Sequence, residues 1–353
     1  MGRIISNTRR RIASNRFRFL LYEVIPIFLI IFIILIIEWF LLPIIVDQTT
    51  ALFGMFFYLI RASVIVLVII LILYISNKKI TKSSKQIEKE LKLHVAHLKL
   101  YNMTKKNYSY QLLYGLLLFF LILIPLEFLI LIALPNTIPP LAISLVLRRE
   151  NWFLLLDNFA LFLLLSVVIQ FSISFSEETI FRGLITKRGS EHFSKISAVM
   201  ISTFYFAFIE VFLNPLIMTI NYYSGIIWFI KSFIVGLVLS MTIIRRKWLF
   251  PLIIAKTFDS IISSVIFWDF LRGGSFTQLL ISIYCPLLII SLIILVVQRS
   301  RVKESLQIGK SMLKSYYKND EKFNEKSGDK VFRVLFDIFF AFLLFLFGIL
   351  ISV

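Results

Sequence analysis

The chain is poor in the residues that usually build disulfides and metal centres. Its one cysteine, Cys285, lies inside an apolar run, which excludes a disulfide framework and a cysteine-based metal site. The three histidines, His94, His97 and His192, all fall in polar connecting segments. His94 and His97 have no further ligands near them in sequence, so no zinc site is expected there. Acidic residues are also few, 20 against 38 Lys and Arg, and the formal net charge is +18. A nucleic-acid partner is nevertheless not expected, because the basic stretches flank long apolar runs. Basic flanks of that kind set the orientation of a membrane protein and face anionic lipid. Residues 1–18 carry six arginines and no small-residue cleavage site follows, so this end reads as a retained anchor rather than a signal peptide. No internal repeat is apparent.

What the chain does have is apolar length. Hydrophobic residues make up 59% of it, with 37 Phe, and several runs exceed the roughly 20 residues that cross a bilayer. The periodicity predicts nine spans, at 19–46, 51–75, 112–135, 152–176, 196–218, 223–244, 248–267, 276–297 and 331–353. The expected fold is an all-α polytopic membrane bundle. With the N-terminus inside, the inner connectors would be 1–18, 76–110, 182–195, 245–247 and 298–330, which hold most of the Lys and Arg. The outer connectors carry few cations, chiefly Arg148, Arg149 and Arg272. Within the second connector, residues 84–101 read as an amphipathic surface helix. The chain divides into a two-span extension with its basic connector (1–110), a membrane core (111–297), and a basic linker with a last span (298–353).

Ionisable residues inside spans are costly and usually functional. The stretch Glu177-Glu178-Thr179-Ile180-Phe181-Arg182-Gly183 closes the fourth predicted span. Residues four apart share a helix face, so Glu178 is expected to pair with Arg182. Glu177 then points about 100° away and is left as a free carboxylate, suited to act as a general base on water. Glu210 falls in the fifth span, Lys231 in the sixth, and Lys256, Asp259 and Ser260 in the seventh. Arg61, Glu127 and Asp157 are expected to form ion pairs that hold the bundle together. By position along the spans, Glu177 lies near the inner face, Lys256 at mid-membrane, and Glu210 deeper, ~22 Å along its helix from Lys195. On that placement the three meet only if helices tilt or shift.

The motif Glu-Glu-x-x-Phe-Arg-Gly at Glu177–Gly183 resembles the first motif of the CPBP family. That family holds the type II CAAX prenyl endopeptidases and the Abi-type bacteriocin-processing intramembrane proteases. Phe206 to Glu210 falls where the family has Phe-x-x-x-His, and Lys256 to Ser260 where it has His-x-x-x-Asn. The resemblance covers roughly residues 110 to 297. It implies glutamate-activated hydrolysis of a membrane-anchored or prenylated peptide, with Glu177 as base and Glu178 and Arg182 orienting it. Both motif histidines are replaced, by Glu210 and Lys256, so the matched positions offer no His2Glu zinc set and no cofactor is expected. Lys256 would either supply positive charge to an oxyanion or form a buried salt bridge with Glu177 and Glu210. The first outcome is an endopeptidase in the membrane, most simply a prokaryotic plasma membrane. The second is a pseudoprotease scaffold that binds a membrane peptide or protein. A transporter, the third reading, predicts inverted repeats that the sequence does not contain.

Overall fold

The computed structural model describes residues 2–81, 104, 106–212, 222–318 and 325–352. Among the described residues all regular structure is helical. Nine helical runs among the described residues are long and apolar enough to cross a membrane. They are α1 (Thr8–Ile45), α2 (Ala51–Ile75), α3 (Tyr108–Ala133), α4 (Phe159–His192), α5 (Lys195–Phe212), α6 (Tyr223–Arg246), α7 (Phe250–Phe270), α8 (Leu280–Val297) and α9 (Ser327–Ile349). Hydrocarbon offers no water to backbone N–H and C=O groups, so a spanning segment satisfies them within its own helix. This is an integral, multi-pass membrane protein with the expected all-α architecture. The surface helix expected over 84–101, with His94 and His97, lies outside the described residues, as does the end of the fifth predicted span.

Three prolines punctuate the bundle in the same manner. Pro26, Pro125 and Pro286 each stand at the start of an α-helical segment, and each follows a π-helical turn: Leu20–Val24, Phe119–Leu123 and Leu280–Tyr284. Proline has no N–H to donate and its ring crowds the preceding turn. A wider turn before it accommodates both defects, and the span continues.

The fourth span departs from its expected boundaries. The helix does not end at residue 176 but runs on to His192, through a π-helical stretch, Thr179–Arg188, that contains no proline. Residues 178–186 are all buried. The charges that suggested a connector from residue 182 onward are instead neutralised inside the protein. Arg182 pairs with Glu178, and Arg188 donates through Nε and Nη2 to both carboxylate oxygens of Glu23 in α1, at 2.9 and 2.8 Å. The altered backbone pairing of the π stretch is met by side chains. The Phe181 carbonyl accepts hydrogen bonds from Thr186 Oγ1 (3.0 Å) and from Ser202 Oγ of α5 (2.8 Å).

The first span also starts earlier than expected, because residues 2–19 are helical and continuous with it. Arg16 is buried, and its Nε donates to Asp337 of α9 at 2.6 Å, while Arg9 meets Asp329 at 3.0 Å. Both partners advance together along the two chains, so α1 and α9 run parallel there. Phe208 of α5 packs on Phe229 of α6 and on Phe342 and Phe345 of α9, which fixes those three helices together. Two glycines mark close approaches. A Cβ on Gly115 of α3 would meet the Pro251 carbonyl of α7 at 2.8 Å, and one on Gly348 of α9 would collide with the Tyr205 hydroxyl of α5.

Candidate active site

Glu177 and Glu178 are neighbours in sequence with opposite surroundings. The 100° step between them sends Glu178 into the protein and Glu177 toward a cavity of about 390 Å³. Glu178 and Arg182 are both 0% exposed and form an ion pair at 3.0 Å, at the i,i+4 spacing of one helix face. The Arg182 guanidinium lies 4.5 Å from the centroid of the Phe206 ring and 5.4 Å from that of Phe181. A pair without water depends on such partners, since desolvating two charges costs several kcal/mol for each ion. The Glu178–Arg182 pair is therefore an internal fixture that holds the start of the π stretch against α5.

Glu177 remains accessible from the cavity, with 34% of its side chain exposed, and Glu210 keeps 27%. Between them stands Lys256 of α7. Its Nζ contacts Glu177 Oε2 directly, lies 3.8 Å from Glu210 Oε1, and sits 4.7 Å from the Phe206 ring centroid. Phe206 thus serves both cations, Arg182 and Lys256. The depth mismatch expected from the sequence does not arise, because it rested on a fourth span ending at residue 176. Glu177 stands fifteen residues before His192, where α4 ends, and Glu210 fifteen residues after Lys195, where α5 begins. The two carboxylates are thus at similar height on the two arms of a helical hairpin, and Lys256 reaches both from α7.

Ser260, one turn beyond Lys256, also lines the cavity. All six residues singled out from the sequence are therefore in one region, with Glu177, Glu210, Lys256 and Ser260 at the cavity and Glu178 and Arg182 behind it. A second charged group joins them. Lys231 of α6 pairs directly with Glu127 of α3 and lies 4.6 Å from the Trp228 ring centroid. Asp259 is within electrostatic reach of both Lys231 and Lys256. The sequence named these residues as intramembrane charges without joining them to the site. The signal was the spacing on α7, where Lys256, Asp259, Ser260, Ser263 and Ser264 recur at three- and four-residue steps along one face. Arg61 carries its guanidinium 5.8 Å from the Phe57 ring centroid, and Asp157 pairs with Arg272 at 3.6 Å outside the cavity.

The residues present do not fit a metal. Among the described residues no three His, Cys, Asp or Glu side chains are grouped as ligands. The ammonium of Lys256 already lies between the two carboxylates, and a second cation there would be repelled. What the group can do chemically is bind a polar segment. The ammonium of Lys256 can donate to an incoming carbonyl or carboxylate.

Fold and site together define a polytopic membrane protein with a charged cavity at membrane depth, built around an intramembrane glutamate pair. Residues 158–262, which carry Glu177, Glu210 and Lys256, match the family model described as type II CAAX prenyl endopeptidase Rce1-like. This part of the chain is accordingly CAAX-protease-like at the level of the family, in agreement with the resemblance carried by Glu177–Gly183. No curated protein and no solved structure matches the chain.

Proposed function

We propose that the cavity receives a membrane-anchored, prenylated peptide and that Lys256 suppresses the hydrolytic step which the family scaffold would otherwise support. The observation that carries this reading is the direct contact of Lys256 Nζ with Glu177 Oε2, with Glu210 on its other side at 3.8 Å. A glutamate base must take a proton from water as the hydroxide attacks the scissile carbonyl. An ammonium in direct contact with that carboxylate occupies the space where the water would stand and takes up the oxygen that would accept its proton. The chain is then a pseudoprotease: a peptide-binding site of peptidase type in which Glu178 and Arg182 keep the architecture and Glu177, Glu210, Lys256 and Ser260 contact the guest. On this reading residues 111–297 form the binding core. Residues 1–110 and 298–353 brace it, and the basic connectors face the cytoplasm of a prokaryotic cell.

A second reading has one observation in its favour, the 34% of the Glu177 side chain that stays exposed to the cavity. There Glu177 still activates water, Lys256 stabilises the oxyanion, and the proton passes from Glu177 to the leaving amine. The transporter reading gains no support from the arrangement.

Binding is tested with a farnesylated CAAX peptide carrying a photoreactive side chain, added to vesicles that contain the full chain. Crosslinks on α4 and α7 that are lost on Ser260→Trp, which fills the cavity, are expected. Crosslinks confined to lipid-facing surfaces, or unchanged by Ser260→Trp, would remove the peptide-binding reading.

A further inference from the structure

Between α8 and α9 the chain forms a helix, Arg299–Tyr316, whose sequence RSRVKESLQIGKSMLKSY places two different faces side by side. At 100° per residue, Val302, Leu306, Leu313 and Tyr316 fall within about 80° of one another and make an apolar stripe. Arg299, Lys303, Lys310 and Lys314 fall within about 60° of one another, on one flank of that stripe. All four of these cations are exposed. The only acid of the helix, Glu304, lies nearly opposite the stripe, and Arg245 at the end of α6 binds it at 3.4 Å. The helix is therefore held to the protein through part of its stripe and through Glu304, and presents a ridge of positive charge along one flank of the stripe.

Its contacts fix where that ridge lies. The helix begins two residues after α8 ends at Val297, and it crosses the ends of the neighbouring spans. Glu304 meets Arg245, a Cβ on Gly309 would touch Met241 of α6, and Leu313 and Tyr316 pack with Ile196, Val199 and Met200 near the start of α5. The Tyr316 hydroxyl then donates to Asp337 of α9 at 3.0 Å. The C-terminal half of the apolar stripe is thus covered by protein. In the N-terminal half Leu306 is not: it is 69% exposed beside Lys303 and Lys310. An exposed leucine flanked by cations, at the height where spans enter the bilayer, matches the interface between headgroups and acyl chains.

We propose that the Arg299–Tyr316 helix is a docking surface for anionic phospholipid headgroups of the adjoining leaflet. Arg299, Lys303, Lys310 and Lys314 bind phosphates, and Leu306 inserts among the acyl chains. The chemistry recognised is a phosphate-bearing headgroup attached to a bilayer. Each basic residue near an anionic surface contributes about 1 kcal/mol, or about fivefold in lipid preference, and the effect is screened by salt. The ridge does not depend on what the cavity binds.

The test uses the full chain in vesicles of phosphatidylcholine with spin-labelled phosphatidylglycerol or spin-labelled phosphatidylcholine as probe. The expected result is a preference for phosphatidylglycerol that falls at least about fivefold in the variant Lys303→Gln, Lys310→Gln, Lys314→Gln, and falls likewise at high salt. Glutamine keeps the helix propensity at these exposed positions. The matched variant Lys303→Arg, Lys310→Arg, Lys314→Arg keeps the charge and is expected to keep the preference. A preference unchanged by the glutamine variant would overturn the proposal. So would its loss to inorganic phosphate at constant ionic strength, which would mark a site for the free anion instead.

Discussion

At the scale of the residue, the two acids of one dipeptide differ because a 100° step about the helix axis separates their surroundings. Glu178 is sealed against Arg182, which itself lies over Phe206, whereas Glu177 lines the cavity and contacts Lys256. Removing one member of a fully buried pair strands the other charge, so Arg182→Gln is expected to destabilise by about 3–5 kcal/mol. Replacing both, with Glu178→Leu and Arg182→Met, removes both desolvation penalties and is expected to cost less than the single change. Thermal unfolding of the three proteins in the same detergent checks this; a double variant less stable than Arg182→Gln would contradict it. Lys256→Gln leaves Glu177 and Glu210 facing each other without the ammonium. Both are partly exposed, so its cost is expected to be smaller, about 1–3 kcal/mol. The Glu178–Arg182 pairing and the separate aim of Glu177 were legible from spacing alone. The Lys256 bridge was legible as one of two alternatives, since sequence fixes which charges are present but not which of them touch.

At the scale of the element, the π stretch and the close helix crossings decide the site. The expected end of the fourth span at residue 176 was wrong because Arg182, Lys187 and Arg188 look like a basic connector. The neutralisation of Arg182 by Glu178 and of Arg188 by Glu23 depends on contacts from the same helix and from α1 that hydropathy does not register. That one boundary also produced the depth mismatch among Glu177, Glu210 and Lys256. Lys256 is held in register by α3, where Gly115 allows the Pro251 carbonyl to approach. Gly115→Ala is therefore expected to push α7 outward and destabilise by about 1–3 kcal/mol, despite the higher helix propensity of alanine. Its unfolding midpoint against wild type measures this, and a raised midpoint would contradict the close-packing argument.

At the scale of the whole molecule, the first and last spans are tied together beside the hairpin that carries the glutamates. Arg16 of α1 reaches Asp337 of α9 at 2.6 Å, and Arg16 Nη2 donates to Ser197 of α5 at 3.3 Å. Breaking this buried contact by Asp337→Ala is expected to cost about 3–5 kcal/mol. The loss should be non-additive with Arg16→Ala, which a double-mutant cycle on unfolding midpoints reads directly. The count and order of the spans were legible in the sequence, because apolar length is a strong signal. The parallel seating of α1 on α9 was not, because it depends on pairs more than 300 residues apart. The central claim concerns the site these helices support: a CAAX-protease-like scaffold whose glutamate base is held by Lys256. The measurement that tests it most directly is cleavage of prenylated CAAX peptides in reconstituted membranes by wild type, Glu177→Gln, and Glu210→His combined with Lys256→His. The account predicts no cleavage by wild type or Glu177→Gln, and cleavage by the histidine-bearing variant. Cleavage by wild type that disappears in Glu177→Gln would contradict it and establish a peptidase that works through the lysine.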